Sequence, residues 1–322
     1  MSTMPAELET KNTERKHDII NMLILIGVAL GLGVYLVATT VVISKDGVGY
    51  IERARQFQTD PSGNLKTHHP GYPLLIFTAH KLSRLFTNDS SVFTWTYSAQ
   101  GVSLFFQLLA LIPLYFTGKL LVGSRESFYA ILILVALPNP AKMGCEVTRE
   151  WPYMFFLAAG FLFLLWGARR CAPWPFGLAG LSSGLGYWVR PECGQIVVFG
   201  LAWLMLSILQ PAVGKITRWK SFAALSLLLI GFAFPALPYT KYTGNLISPN
   251  AERVIRLLSH GAATDNADLS GDETGATNHY TAGLVWRSVQ EALGEVFKTT
   301  GENTMWFFLP FLLTGFFYRM RY

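Results

Sequence analysis

The chain has 322 residues, of which 51% are hydrophobic, 14% are aromatic and only 14% are charged. Soluble domains carry about 25% charged residues, so this composition excludes an ordinary soluble domain. The apolar residues lie in long runs between charged clusters, which predicts an all-α, polytopic helical membrane protein. The net charge of +6 then indicates basic cytoplasmic loops and no nucleic-acid partner, because the aromatic residues lie inside the apolar runs.

Apolar runs divide the chain into about eight predicted transmembrane spans. The first run, Ile19 to Ile43, contains no charged residue and exceeds the roughly 20 residues that cross a bilayer. The next apolar segment, Leu74 to Phe86, is too short and too charged to cross. We therefore expect interfacial helices in the first external loop. The remaining spans are predicted at residues 92–115, 128–143, 151–167, 175–189, 195–209, 222–237 and 305–318.

Positive charges assign each predicted loop to one side of the membrane. When the N-terminal tail is placed in the cytoplasm, every basic turn between spans also lies on the cytoplasmic side, as the positive-inside rule requires. The opposite, external side receives the loops that mix carboxylates, arginines and histidines. The predicted regions are a cytoplasmic tail (1–18), a transmembrane catalytic core (19–238) with an external loop (44–91), an external polar region with an amphipathic helix (239–303), and a last span with a cytoplasmic end (304–322).

Acidic residues lie next to the predicted external ends of two spans. Asp46 follows the first span, where it could act as a general base, although a solvated helix-end acid beside Lys45 explains its position equally well. Glu146 and Glu150 flank Arg149 in the second external loop. They could supply a second carboxylate and a phosphate-binding cation. The alternative is that Arg149 and Glu146 pair with each other or with lipid headgroups.

Arginine and histidine residues form the second set of candidates. Arg190 and Glu192 close a Gly-rich span on the external side, so the arginine either binds an anion or caps the carbonyl groups of that span. His68 and His69 precede a Pro-Gly-Tyr-Pro turn that contains Tyr72, and they could bind phosphate, shuttle protons or ligate metal. Two adjacent histidines without a third ligand make a poor metal site, so we expect no metal and no cofactor.

The order of these motifs resembles a known superfamily. Asp46 and Tyr50 follow the first span, and the segments HHPGYPLL, TREWPYMFF and GLSSGLGYWVRPE come after them on the same predicted side of the membrane. In this order they are similar to the polyprenyl-phosphate-sugar-dependent glycosyltransferases of the C superfamily. The closest likeness is to the protein O-mannosyltransferase and aminoarabinose-transferase group, and it covers roughly Asn21 to Val198.

The resemblance implies an inverting transfer of a sugar from a polyprenyl-phosphate donor to an acceptor hydroxyl at the external face of the cell membrane. Asp46 matches the first-loop acid that acts as general base, and Glu150 matches the acid of the second external loop. The acceptor would be a lipid, a glycan or a protein of the cell envelope. The remaining candidates, predicted to bind substrate, are Tyr50, His68, His69, Tyr72, Glu146, Arg149, Arg190 and Glu192.

Proteins of other classes also fit parts of the pattern. A transporter or lipid flippase would carry charged residues within the spans near the membrane midplane, and spans two to eight contain almost none. A membrane phosphatase is suggested by Pro61-Ser62-Gly63-Asn64, but the accompanying histidine and arginine pattern is absent. A non-catalytic membrane scaffold is the third alternative.

Overall fold

Every regular element in the described part of the chain is helical. The computed structural model describes residues 4–39, 43–67, 69–86, 91–209 and 217–243, which all belong to one unit, Met1–Ser248. The predicted all-α fold is confirmed. In chain order the α-helices are α1 (Met4–Thr39), α2 (Lys45–Gln56), α3 (Pro61–Thr67), α4 (Gly71–Ser83), α5 (Val92–Leu121), α6 (Ser124–Ala136), α7 (Pro138–Cys145), α8 (Glu150–Arg170), α9 (Trp174–Val189), α10 (Gln195–Leu209) and α11 (Arg218–Thr243), with a 3₁₀ turn at Pro191–Gly194 before α10.

Most of the long helices can cross a membrane. Among the described residues, five are long and apolar enough: α1 over Asn12–Thr39, α5, α8, α10 together with its 3₁₀ turn, and α11. The pair α6 and α7 is bent by 67° and makes a sixth if it forms one span. Pro138 begins α7 and has no amide hydrogen with which to continue α6, which explains the bend.

The described helices follow the predicted spans closely. The predicted fifth span corresponds to α9, which has 16 residues and is shorter than the usual span. Helix α1 begins at Met4, so it also includes most of the predicted cytoplasmic tail. The predicted last span, 305–318, and the amphipathic helix of the region 239–303 lie outside the described residues.

Contacts between helices define two ends of the bundle. At one end, Lys119 of α5 forms an ion pair with Asp18 of α1, and Arg169 of α8 donates a hydrogen bond to the carbonyl oxygen at the end of α5. At the other end, Gly47 of α2 contacts Val147 in the segment 146–149 between α7 and α8. Helix α2 and the segment between α7 and α8 therefore meet at this second end, which we name the site end.

Helices α9 and α11 pack so closely that their backbones touch. A Cβ atom at Gly180 would lie 2.1 Å from the carbonyl oxygen of Leu228, and one at Gly184 would lie 2.5 Å from that of Phe232. Gly180 and Gly184 form a GxxxG pattern, whose small residues allow two helices to approach. This contact fixes α9, whose last residues lead to Arg190 at the site end.

Substitution of Gly180 tests this packing. Gly180→Ala is expected to lower the stability by about 1–3 kcal/mol, because the added methyl group meets the α11 backbone rather than a flexible side chain. Gly177→Ala is the matched control, since its Cβ would meet Leu227 at an ordinary distance of 3.5 Å. Thermal unfolding of both variants in one detergent gives the comparison. Equal stability would contradict the tight α9–α11 contact.

Candidate active site

Helix α2 begins the site and positions Asp46. Ser44 caps the helix, because its hydroxyl accepts a hydrogen bond from the Gly47 amide at 3.2 Å. Asp46 lies in the first turn, where the positive end of the helix dipole favours a carboxylate. The Asp46 side chain is exposed and forms no ion pair with any described residue. Its carboxylate is therefore accessible to other molecules.

The contact of Gly47 brings Asp46 close to the segment that carries Arg149. A Cβ atom at Gly47 would lie 3.0 Å from the Cβ of Val147 and 3.1 Å from its carbonyl oxygen. Val147 is buried beneath α2. Arg149 follows two residues later at the N-cap position of α8. Asp46 and Arg149, which are far apart in the sequence, thus lie at the same end of the bundle.

Arg149 has no acidic partner among the described residues. Glu146 instead lies 3.3 Å from the Nζ of Lys142, one helical turn earlier. The ion pair between Arg149 and Glu146, which the sequence allowed as an alternative to anion binding, is therefore not formed. Arg149 is half-buried, and no carboxylate of the described residues occupies its guanidinium.

Arg190, in contrast, lies between two carboxylates. Its Nη1 donates to both carboxylate oxygens of Glu150, at 2.8 and 2.7 Å, and its Nε lies 3.3 Å from Glu192. The guanidinium also lies over the ring of Tyr153, 5.1 Å from its centroid. Burial lowers the pKa of Arg190, but Glu150 and Glu192 outweigh burial and raise the pKa above its ordinary value. Arg190 therefore stays charged and joins the end of α9 to the start of α8.

Removal of Arg190 tests this structural role. Arg190→Ala is expected to cost about 1–2 kcal/mol of stability, because Glu150 and Glu192 lose their common partner. The cost stays below that of a fully buried pair, since the side chains are 27%, 41% and 55% exposed. Lys142→Ala is the control, because that lysine is 64% exposed and its pair contributes little. Equal unfolding temperatures for the two variants would contradict the assignment.

The turn at the start of α4 ties the first loop to α9 and α11. The Nδ1 atom of His69 lies 2.7 Å from the hydroxyl of Tyr239, and the two rings stack with centroids 5.9 Å apart. A Cβ atom at Gly71 would lie 2.6 Å from the backbone of Trp188, two residues before Arg190. His68 lies outside the described residues. Within the described ranges, no group of three or more possible metal ligands comes together.

The two candidate tyrosines have different surroundings. The ring of Tyr50 is partly exposed and packs edge-on against Tyr72, with centroids 5.1 Å apart. Tyr72 is completely buried, and its hydroxyl lies 2.9 Å from the Oγ of Ser103. Burial raises the pKa of Tyr72, so its hydroxyl stays protonated. Tyr72 can support Tyr50, but it has no exposed surface of its own for a substrate.

Ser103 is a residue that the sequence analysis missed. It is fully buried in α5 and lies on one face of that helix with Gln100 and Gln107, which are also buried. The spacing of i, i+3 and i+7 in an otherwise apolar span is the signal that could have identified this polar face.

Three grooves or cavities lie next to the helices, but the charged candidate residues do not line them. An apolar groove of about 690 Å³ runs between α4 and α5, and a more polar groove of about 510 Å³ follows α2 past Glu52 and Arg55. A third cavity of about 570 Å³ surrounds Asp18 and Lys119 at the opposite end of the bundle. Neither Asp46 nor Arg149 lines any of these three, so the site is defined by its contacts rather than by a closed cavity.

These features define a multi-pass helical membrane protein in which Asp46, Arg149, Glu150 and Arg190, from separate segments, lie at the same end of the bundle. Residues 68–239, more than half of the chain, match the dolichyl-phosphate-mannose-protein mannosyltransferase family. The chain belongs to this family and is a mannosyltransferase-like membrane glycosyltransferase of the C superfamily, as the motif order predicted. No individual curated protein matches the chain.

Family membership argues against the transporter, phosphatase and scaffold alternatives. The matched range contains Glu146, Arg149, Glu150, Arg190 and Glu192, but it begins after Asp46 and Tyr50. The family match therefore does not bear on Asp46 and Tyr50 of α2.

Proposed function

We propose that the protein transfers a sugar from a polyprenyl-phosphate donor to an acceptor hydroxyl, with inversion at the anomeric carbon, at the external face of the membrane. One observation carries this proposal. The Gly47–Val147 contact brings together the segments of Asp46 and Arg149, an exposed carboxylate and a half-buried cation that have no ion-pair partners among the described residues.

In the proposed reaction, Asp46 accepts the proton of the acceptor hydroxyl as its oxygen attacks the anomeric carbon. The bond between that carbon and the donor phosphate breaks on the opposite face, so a single displacement inverts the configuration. The phosphodiester leaves as a phosphomonoester and gains negative charge. A fixed cation that faces this charge stabilises the transition state, and Arg149 supplies it.

The two arginines have different roles in this mechanism. Arg149 is available for the donor phosphate, and a guanidinium can donate two parallel hydrogen bonds to phosphate oxygens. The charge of Arg190 is already neutralised by Glu150 and Glu192. We therefore assign Arg190 to holding α8 and α9 together, and Arg149 to the donor phosphate. Glu150 keeps unused lone pairs after this contact and can accept a hydrogen bond from a sugar hydroxyl.

The other candidates surround these groups. Tyr50 is partly exposed one helical turn after Asp46, where its ring can pack against a sugar. His69 is hydrogen-bonded to Tyr239, so we assign it to stabilising the turn before α4 and not to binding phosphate. Glu146 and Glu192 keep exposed carboxylate surface for polar contacts. The apolar groove between α4 and α5 is suited to part of a lipid-linked substrate, which supports a membrane-embedded donor.

Donor turnover tests the proposed activity. Purified protein is incubated with a panel of polyprenyl-phosphate sugars and candidate lipid, glycan and peptide acceptors, and loss of donor is followed. We expect one donor to be consumed, with inverted configuration in the product. Absence of turnover with every donor, together with absence of donor binding, would contradict the proposal.

Labelling of α2 tests the proposed membrane side. Val48 is exposed on the helix that carries Asp46. In a variant with its partly exposed Cys171 replaced by Ser, Val48→Cys is expected to react with a membrane-impermeant thiol reagent added to intact cells. Labelling only after the cells are opened would place Asp46 on the cytoplasmic side and overturn the external assignment.

A further inference from the structure

Hydrogen bonds within the segment 146–149 and to the end of α7 shape the turn before Arg149, but they do not join the segment to the neighbouring helices α4 and α5. Its packing against α2 through Gly47 and Val147 is apolar, and apolar contacts do not by themselves select one orientation. A hydrogen bond does select an orientation, because its energy depends on angle as well as distance. The structure provides such a bond from α5.

Ser103 lies where α4, α5 and the segment 146–149 meet. Its hydroxyl is fully buried, donates to the carbonyl oxygen of Thr148 at 3.2 Å, and lies 2.9 Å from the hydroxyl of Tyr72. The contact with Ala99 in its own helix is longer, at 3.5 Å. When the Ser103 proton is directed to Thr148, the Tyr72 hydroxyl is the donor of the second bond. Burial raises the pKa of Tyr72, so that proton is present at neutral pH.

Both ends of this bridge reach residues of the proposed site. The carbonyl group of Thr148 belongs to the peptide bond that enters Arg149, so the bond from Ser103 orients the backbone at the start of α8. The ring of Tyr72 supports Tyr50 edge-on. Tyr50 follows Asp46 by four residues on the same face of α2. The Ser103 hydroxyl thus connects the backbone next to Arg149, through Tyr72 and Tyr50, to α2, the helix that carries Asp46.

Ser103 makes only a long bond within its own helix. A serine hydroxyl in an apolar helix usually bonds the carbonyl oxygen four residues earlier, as Ser207 does with Trp203 at 2.9 Å. Ser103 donates to the carbonyl oxygen of Ala99 at 3.5 Å, and its shorter bond, at 3.2 Å, reaches across 45 positions of sequence to Thr148. Its neighbours on the same face, Gln100 and Gln107, have buried amide oxygens without a partner among the described residues. Buried polar groups are expensive inside a membrane bundle and tend to mark functional positions.

We propose that Ser103 is a positioning residue, whose hydroxyl holds the segment 146–149 against α5 and, through Tyr72, against α4, and thereby sets the separation between Asp46 and Arg149. The structural part of this proposal stands without any assumption about the reaction. Its consequence for catalysis rests on the proposed function.

The test uses the full chain in detergent and two single substitutions that remove the bridge, Ser103→Ala and Tyr72→Phe, together with the double variant. Ser127→Ala is the matched control, because Ser127 is equally buried and donates to the carbonyl oxygen of Tyr115 at 2.7 Å at the opposite end of the bundle. Amide hydrogen exchange of the segment 146–149 is measured by mass spectrometry, and transfer kinetics are measured on the same preparations.

We expect faster exchange in the segment 146–149 of Ser103→Ala and unchanged exchange there in Ser127→Ala. We also expect kcat to fall about 10- to 100-fold, with a smaller change in KM, because a small displacement of reacting groups is costly. The double variant should lose no more activity than the worse single variant, since both substitutions break one bridge.

The two measurements test the Ser103 hydrogen bonds and the proposed reaction separately. Unchanged exchange in Ser103→Ala would overturn the bridge, whatever the activity. Faster exchange with an unchanged kcat would overturn the positioning role. A wild-type protein that binds and consumes no donor would count against the proposed function, and the exchange measurement would still decide whether Ser103 holds the segment.

Discussion

Asp46→Asn is expected to abolish sugar transfer while leaving the fold and donor binding intact. Asparagine has nearly the same shape and also suits the first turn of α2, but its amide cannot accept the proton of an attacking hydroxyl. A positioned general base contributes about 10²- to 10⁴-fold to a rate, so we expect kcat to fall by at least about 10²-fold. The exposed Asp46 has no ion pair with the described residues to lose, so the unfolding temperature should stay the same.

The control for Asp46 lies on the same helix. Glu52 is also exposed on α2, but it lines the groove on the other flank of that helix. Glu52→Gln therefore removes a carboxylate of similar exposure without touching the proposed base, and it should keep close to normal transfer. Initial rates at saturating donor and acceptor measure the effect. Full activity of Asp46→Asn would remove Asp46 from the mechanism.

Arg149→Ala is expected to weaken donor binding by roughly 10- to 100-fold. A hydrogen bond to a charged group contributes about 1.5–3 kcal/mol, and the substitution removes the cation that we assign to the donor phosphate. Stability should change little, because Arg149 has no ion pair with the described residues. Titration of the purified variants with the polyprenyl-phosphate sugar gives the Kd values.

The comparison of Arg149 with two other variants makes this test specific. Arg149→Lys keeps the charge but loses the planar pair of donors, so it should restore only part of the affinity. Arg190→Ala should lower stability first, because Arg190 is bound to Glu150 and Glu192. A normal Kd in Arg149→Ala together with a raised Kd in a folded Arg190→Ala would reverse the two roles.

Much of the fold could be predicted from the sequence because a bilayer allows few solutions. A run such as Ile19 to Ile43, without charge, has to be a helix in a membrane, since its backbone groups can be satisfied only within the segment. The described helices accordingly follow the apolar runs. The order of the motifs was also sufficient to predict the family to which the chain belongs. The helical form of the segment between the first two spans was less evident, because α2 and α3 contain many polar residues.

The candidate site was harder to predict in detail. Arg149 and Arg190 look alike in the sequence, each at the end of a span with a glutamate nearby. The structure separates them, because Glu150 turns to Arg190, 40 positions away, rather than to its neighbour Arg149. Tyr72 was expected to contact substrate, yet it is completely buried. Ser103 gave no local signal other than its spacing from two glutamines.

The sequence by itself determined that this is a helical membrane protein, where most of its long helices lie and which family it belongs to. These properties follow from local hydrophobicity and from the order of short motifs, both of which can be read along the chain. Only the tertiary structure decided which cation has an acidic partner, which tyrosine is buried and which serine bridges the loops. Such contacts join side chains from distant segments over about 3 Å, and no local pattern of residues encodes that distance.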